Sequence, residues 1–404
     1  MTSTAPPLGR ILWFNVLFVI VFPVVAIAAA AWYQINYGIT WREIVAAVLC
    51  WWLTGIGICA GYHRLFSHKG YKARPAVRLV LSWLGAAASQ NSAIAWCSDH
   101  RHHHLHTDSH SDPYNAQRGF WYSHMGWILF EGVHGSAYDN VSDLKRDPIL
   151  AFQHKHWFAI AWGVNLLMLT ACSLVLGNWV GIFIIAGPFR VVVVQHFTFL
   201  VNSIAHMWGS QPYSQATSAR DNWALSFLTM GEGYHNYHHS FEWDYRNGPR
   251  WYNVDPNKWL IWTLSKLGLA SGLRRTPMDV VLNTRFEEGR RGFLEQLGEW
   301  SEAKQSEWGE ALKAKREQLA AAEAALEAEL AALKTMRQSL SDRMGELKRT
   351  ACDDLKARLE GEVQHLRRNF RQAQRAAKSA LRGWEQLAMD LAQSLQLEAV
   401  PLAA

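Results

Sequence analysis

The chain has 404 residues, a net charge of +6, 21 tryptophans and hydrophobic residues at half of its positions. Lysines and arginines do not gather into a stripe with interleaved aromatics, which argues against nucleic acid as a partner; a modest basic excess beside apolar runs fits the positive-inside bias of membrane proteins. The five cysteines (Cys50, Cys59, Cys97, Cys172, Cys352) stand singly, which speaks against a disulfide framework, a zinc knuckle or an iron–sulfur cluster and leaves free thiols in a reducing compartment.

The long apolar runs end near residue 260, whereas 285–404 is rich in Ala, Leu, Glu, Lys, Gln and Arg, with no proline between Pro277 and Pro401. This divides the chain into a membrane region, 1–275, and a helical tail, 285–404. Four runs reach the roughly 20 apolar residues that a spanning helix needs: 11–33, 44–62, 157–177 and 179–201. The first is too long for a signal peptide and lacks a small-residue cleavage site. The segment between the second and third spans carries ten Lys and Arg, against Arg42 alone in the two short loops. The long loop, both termini and the tail are therefore expected in the cytoplasm. The apolar stretch 78–96 begins with Arg78 and is broken by Ser89-Gln90-Asn91-Ser92, so it is expected as a pair of short interfacial or re-entrant helices and not as a fifth span. The expected fold is an all-α integral membrane protein: four transmembrane helices, a cytoplasmic His-rich helical cap, and a C-terminal helical or coiled-coil tail.

The histidines fall into phased groups. A helical residue turns about 100°, so His100, His103 and His104 share a face while His102 and His106 point elsewhere. His235, His238 and His239 repeat the same spacing, and Asn202 and His206 lie one turn apart at the end of the fourth span. His63 and His68 are five residues, about 140°, apart, so they cannot share a face of one unbroken α-helix. His63 is expected to close the second span, with His68 following a bend. Imidazole suits iron, copper, zinc and nickel, and nine His with one Asn fit two ions better than one.

HRLFSH, DHRHHHLHTDSHSDPYN and GEGYHNYHHSF resemble the three His boxes of the membrane fatty acyl desaturases, most closely the acyl-CoA Δ9 (stearoyl-CoA-type) branch. FLVNSIAH resembles that family's additional Asn/His site, and RGFWYSHMGW and DLKRDPIL resemble stretches that follow the second box. The resemblance covers residues 10 to 275 and leaves the tail unexplained. It implies that His63, His68, His100, His103, His104, His206, His235, His238 and His239 bind two iron ions, with Asn202 reaching one through a water. It also implies Asn91 and Asp99 as substrate contacts, with Phe199 where the family often has Trp. Ser98 and Glu131-Gly132 stand where animal acyl-CoA enzymes carry basic residues, so a lipid-linked or carrier-protein-linked acyl chain stays open beside acyl-CoA. Trp96 and Phe199 are candidate walls of an apolar tunnel. Asp99, Asp108, Asp112, Glu232 and Asp244 are candidates for orienting the ligand imidazoles.

The chemistry so implied is insertion of a cis double bond, Δ9 by resemblance, with O2 as co-substrate and two electrons. No haem-binding stretch and no GxGxxG motif occurs, so the electrons are expected from a separate ferredoxin, rubredoxin or cytochrome b5 with its reductase. The location implied is a bacterial inner membrane, or the endoplasmic reticulum of a eukaryote. The alternatives are a membrane di-iron hydroxylase or ketolase, a bis-His haem carrier, and a His-rich metal transporter, for which Arg190 and His196 inside the fourth span would speak. In the tail, Leu319, Leu326, Leu333, Leu340 and Leu347 recur every seven residues. Such a seam calls for a partner: another chain through self-association, or a helix folded back from about residue 352 with Leu355, Leu359, Val363 and Leu366.

Overall fold

A computed structural model describes residues 9–131, 137–298, 309–350 and 353–394, so Cys352 lies outside the described residues. The chain divides into two compact units, one of residues 1–210 and 216–275, the other of 211–215 and 276–404.

The first unit is helical. Helix α1 (Trp13–Tyr37) and helix α2 (Trp41–Ser67) are both long and apolar enough to cross a membrane, with mean hydropathy 2.6 and 2.0. Thr40 and Glu43 form a reciprocal cap at the start of α2, the Thr40 N–H donating to Glu43 Oε2 at 2.7 Å. Two short helices follow, α3 (Pro75–Ala86) and α4 (Ala93–His106), separated by a turn with left-handed Ser89 and Asn91. The 12 residues of α3 span only about 18 Å, well short of a bilayer core. Gly57 of α2 lies against the backbone of Gly85 in α3, and the Tyr62 ring lies against Gly85 in turn, leaving no room for a Cβ at either glycine. That close approach fixes α3 beside the end of α2 that carries His63.

After the short helix α5 (Phe120–His124) come the other two membrane-length helices, α6 (Pro148–Leu176) and α7 (Trp179–His206). Helix α6 leaves helical geometry at His156, and α7 does so at Gly187, where Pro188 removes a backbone donor. Helices α8 (Trp223–Leu228), α9 (His235–Ser240) and α10 (Pro256–Lys266) complete the unit. Two-residue strands β1 (Lys72–Ala73) and β2 (Ala270–Ser271) pair antiparallel, Lys72 opposite Ser271. The spans thus run several residues beyond the apolar stretches read from sequence, because their polar ends carry His63 and His206. Cys50, Cys59 and Cys97 are free and buried, and Cys172 is free and half-buried.

The second unit contains α11 (Met278–Gly298), α12 (Gly309–Arg349) and α13 (Asp353–Ser394). The last two are joined by residues 350–352 and fold back on one another. Leu326 and Leu333 are fully buried in a core with Phe286 of α11 and Ala377, Leu381 and Trp384 of α13. Leu359 and Val363 are buried as the seam requires, but Leu355 is 46 % exposed, so the seam is open at the start of α13. Arg285–Glu385, Arg337–Asp279 and Arg343–Glu362 ion pairs link the three helices.

Candidate metal centre

The turn geometry at the end of α2 decides where the first two histidines go. From Gly57 to Ser67 the backbone is π-helical, and the His68 N–H donates to the His63 carbonyl at 3.1 Å, an i→i+5 bond. In a π-turn residues five apart stand over one another. His63 and His68 therefore share a face, their ring centroids 4.9 Å apart, with no bend between them. The bend expected from 3.6 residues per turn is not needed, because the backbone here is π-helical.

Helix α4, capped by Ser92, carries His100, His103 and His104, and α9 carries His235, His238 and His239. His206 sits in the tight last turn of α7. The nine rings converge in two groups: His63, His68, His100, His104 and His238 in one, His103, His206, His235 and His239 in the other. Each box helix serves both groups. From α4, His100 and His104 (i, i+4) enter the first and His103 the second; from α9, His235 and His239 (i, i+4) enter the second and His238 the first. His102 and His106 pair with each other, ring centroids 4.5 Å apart, and join neither group.

The rings meet through Nε2. His63–His238, His68–His100 and His104–His238 stand 2.9, 2.8 and 3.0 Å apart, and His206–His235, His235–His239 and His103–His239 stand 3.0, 3.1 and 3.3 Å apart. Three rings have their tautomer fixed from behind. His63 Nδ1 lies 2.8 Å from Glu232 and His103 Nδ1 lies 2.8 Å from Asp112, each carboxylate being the acceptor. Ser218 donates its hydroxyl to Asp108, so it accepts from His206 Nδ1, at 2.8 Å. Each of these rings then turns an Nε2 lone pair inward. Lone pairs converging at such separations repel unless a cation lies between them. An ion with bonds of about 2.1 Å sets neighbouring ligand nitrogens about 3.0–3.4 Å apart. The geometry fits two metal ions, and an all-imidazole donor set with carboxylates behind it suits iron, copper, zinc or nickel.

Electrostatics point the same way. Burial, reinforced by the neighbouring rings, holds His68, His100, His235, His238 and His239 well below the ordinary imidazole range, and burial brings His104 down to about 4. The rings are neutral near pH 7, as ligands must be. Burial alone would raise Glu232, but His63 and Arg64 outweigh it and bring the carboxyl down to about 2. Asp112 is lowered likewise, burial being overcome by His103 and by the backbone N–H groups of Asp108 and Tyr114.

Several anchoring residues carried no motif signal. Arg64 is buried and donates to Glu232 at 2.9 Å and to both oxygens of Asp255 at 2.8 and 2.9 Å. Arg101 donates to the Phe66 and Ser67 carbonyls and to Asp143, which ties α4 to the end of α2. Glu242 stands 3.4 Å from His104 Nδ1. Asp244 accepts from Tyr237 and Arg246.

A narrow, largely apolar cavity runs between α2 and α7 to the histidines. Trp51, Gly55, Ile58 and Cys59 line one side, Val194, Phe197, Thr198 and Val201 the other, and Asn202, His63, His100, His103 and His235 one end. Asn202 thus lines the cavity together with histidines of both groups. Trp96 lines the cavity and stacks on His100, centroids 4.9 Å apart. Phe199 does not line it: this ring is buried on another face of α7 against His124 and His196, and Phe197 takes the wall position. Asn91 shapes the turn before α4, its side chain accepting from the Ser92 N–H, and neither Asn91 nor Asp99 lines the cavity.

A membrane-associated helical protein with paired polyhistidine clusters at the end of an apolar cavity is the class that this geometry defines. The family model described as fatty acid desaturase matches residues 39–269, and the chain belongs to that family. It is 40 % identical over 267 residues to the probable acyl-CoA desaturase of Schizosaccharomyces pombe, covering 66 % of this chain and 55 % of the yeast protein. It is 38 % identical to acyl-CoA desaturase 1 of Saccharomyces cerevisiae, covering 69 % of this chain and 55 % of that protein. To the sn-1 stearoyl-lipid 9-desaturase of Anabaena variabilis it is 34 % identical, over 68 % of this chain and 96 % of the relative. The chain thus spans about half the length of the two yeast relatives.

Proposed function

We propose that this protein is a fatty acyl desaturase that inserts a cis double bond, at Δ9, into a saturated acyl chain. The convergence of nine imidazoles into two groups at the end of an apolar cavity carries this reading. Two irons held there would supply the reduction of O2 with two electrons and the removal of two hydrogens from adjacent carbons. The chain's own residues would do the rest. Glu232, Asp112 and the Ser218–Asp108 relay hold the imidazole tautomers, with Nε2 inward. The apolar walls bind the acyl chain and exclude water. Asn202 holds a water beside the second group.

The substrate proposed is a long-chain acyl-CoA, as named for the yeast relatives, with a lipid-linked chain as the alternative named for the cyanobacterial one. An external ferredoxin, rubredoxin or cytochrome b5 with its reductase would deliver the electrons. Residues 1–275 would form the catalytic membrane region, with histidines, termini and the tail 285–404 on the cytoplasmic side of a bacterial inner membrane or of the endoplasmic reticulum.

Purified protein in lipid discs, given labelled stearoyl-CoA, O2, iron and a carrier with its reductase, should yield a product lighter by two hydrogens. A product that gains one oxygen would make it a hydroxylase instead. Turnover with NAD(P)H and no carrier would overturn the electron route.

A further inference from the structure

Helix α13 carries Arg367, Arg368, Arg371, Arg375, Lys378 and Arg382, with no acidic residue between Glu362 and Glu385. In linear sequence these cations look dispersed. At about 100° per residue all six fall within a sector about 100° wide, along about 22 Å of helix. Every one is exposed. The opposite face, with Val363, Ala373, Ala377, Leu381 and Trp384, is buried.

This row is unlike the other arginines of its unit. Arg285, Arg290, Arg337 and Arg343 are each paired with a carboxylate of a neighbouring helix. Arg367, Arg368, Arg371, Arg375 and Arg382 make no ion pair or hydrogen bond among the described residues. Like charges at i, i+3 and i, i+4 weaken a helix, and for these five arginines no carboxylate among the described residues offsets that cost. Arginine, moreover, is the cation whose planar fork matches phosphate oxygens.

We infer that this face of α13 docks on the anionic phosphate surface of the membrane in which the protein itself sits. A straight basic row fits a plane of phosphates, and clusters of four to eight Lys/Arg on an amphipathic helix bind anionic lipid. The four membrane-length helices end at His206, and no further one follows among the described residues, so the chain does not cross the membrane again before α13. Since the apolar face is already used in the helical core, the contact is electrostatic and without insertion. Unlike an inserting amphipathic helix, it therefore releases with salt.

The test uses the full chain in phosphatidylcholine discs with or without about 30 % phosphatidylglycerol. A donor fluorophore is attached at Gln364→Cys in a Cys172→Ser, Cys352→Ser background, and acceptors are placed on lipid headgroups. Energy transfer should rise severalfold in the anionic discs. It should fall back at high salt, and in the combined Arg368→Glu, Arg371→Glu, Arg375→Glu protein. Equal transfer in both discs would overturn the inference, whatever the triple variant does, because the lipid and salt arms use the native helix. A response only to an added acidic redox protein, with none to phosphatidylglycerol, would overturn it too and assign the face to a protein partner.

Discussion

His63 Nδ1 lies 2.8 Å from Glu232, and both groups are buried. Arg64, the next residue in the chain, holds the other carboxylate oxygen at 2.9 Å and anchors in turn on Asp255. One acidic side chain thus orients a ligand ring and neutralises a buried guanidinium. Glu232→Gln should keep the shape and remove the charge. Metal affinity should fall about 10- to 100-fold, as for other residues behind a ligand. Iron retained per chain after a timed chelator challenge measures this; wild-type retention would show that Glu232 serves only Arg64.

The division of ligands predicts selective loss of iron. His68→Ala touches only the five-histidine group and His206→Ala only the four-histidine group. Each should reduce iron from about two per chain to about one and abolish oxidation. Elemental analysis with Mössbauer spectroscopy should show a different surviving iron in each variant. Complete iron loss from both would mean that the groups fill as one unit.

Trp51 and Phe197, which both line the cavity, meet edge to face with ring centroids 5.9 Å apart. Trp51 precedes His63 by 12 positions, at most about 18 Å along α2, so it bounds the end remote from the histidines. Trp51→Ala should extend the cavity and shift product distribution toward longer acyl chains, read by gas chromatography of products from mixed substrates. An unchanged distribution would remove Trp51 as a boundary.

Acid should release iron and unfold the protein in two overlapping steps. The ligand rings with depressed folded values, His104 at about 4, take up protons on unfolding once pH falls below about 6.5. Glu232, held at about 2, and Asp112 act in the same direction as pH falls below the ordinary carboxylate range toward about 2. Melting temperature in detergent should therefore be flat near neutrality and drop steadily below about pH 6.5. A maximum at pH 5 would contradict the neutral-ring assignment.

Cysteines placed at Asn36 and Trp251, both exposed, test the sidedness proposed from the Lys/Arg asymmetry. An impermeant thiol reagent should label Asn36→Cys from outside intact cells and Trp251→Cys only after permeabilisation. Equal labelling of both from outside would reverse the orientation.

What the sequence disclosed was phase. The i, i+3, i+4 spacing picks out the three of five clustered histidines in α4 that enter the two groups, because an α-helix has one fixed pitch. The same arithmetic misread His63 and His68, since nothing in HRLFSH announces i→i+5 bonding. Contacts between distant segments were likewise silent: Arg64 with Asp255, Arg101 with Asp143 and Ser218 with Asp108 depend on how helices are brought together. Phe197 and Phe199 differ by two positions, about 200° of rotation, and choosing between them needs the face that α7 turns to α2. The basic row of α13 was hidden for the opposite reason: the pitch was known, but the charges were counted along the chain instead of around it.

Helices α4 and α9 each contribute a ligand pair to one ion position and a single ligand to the other. The two coordination spheres are therefore geared. A small twist of either helix about its axis would tighten one sphere while loosening its neighbour, and relaxed packing behind one could not alter a single iron in isolation. Substitutions on the outer faces of these helices, such as at His102 or His106, would then be read as a change in the balance between the two irons' potentials, with the total iron content unchanged.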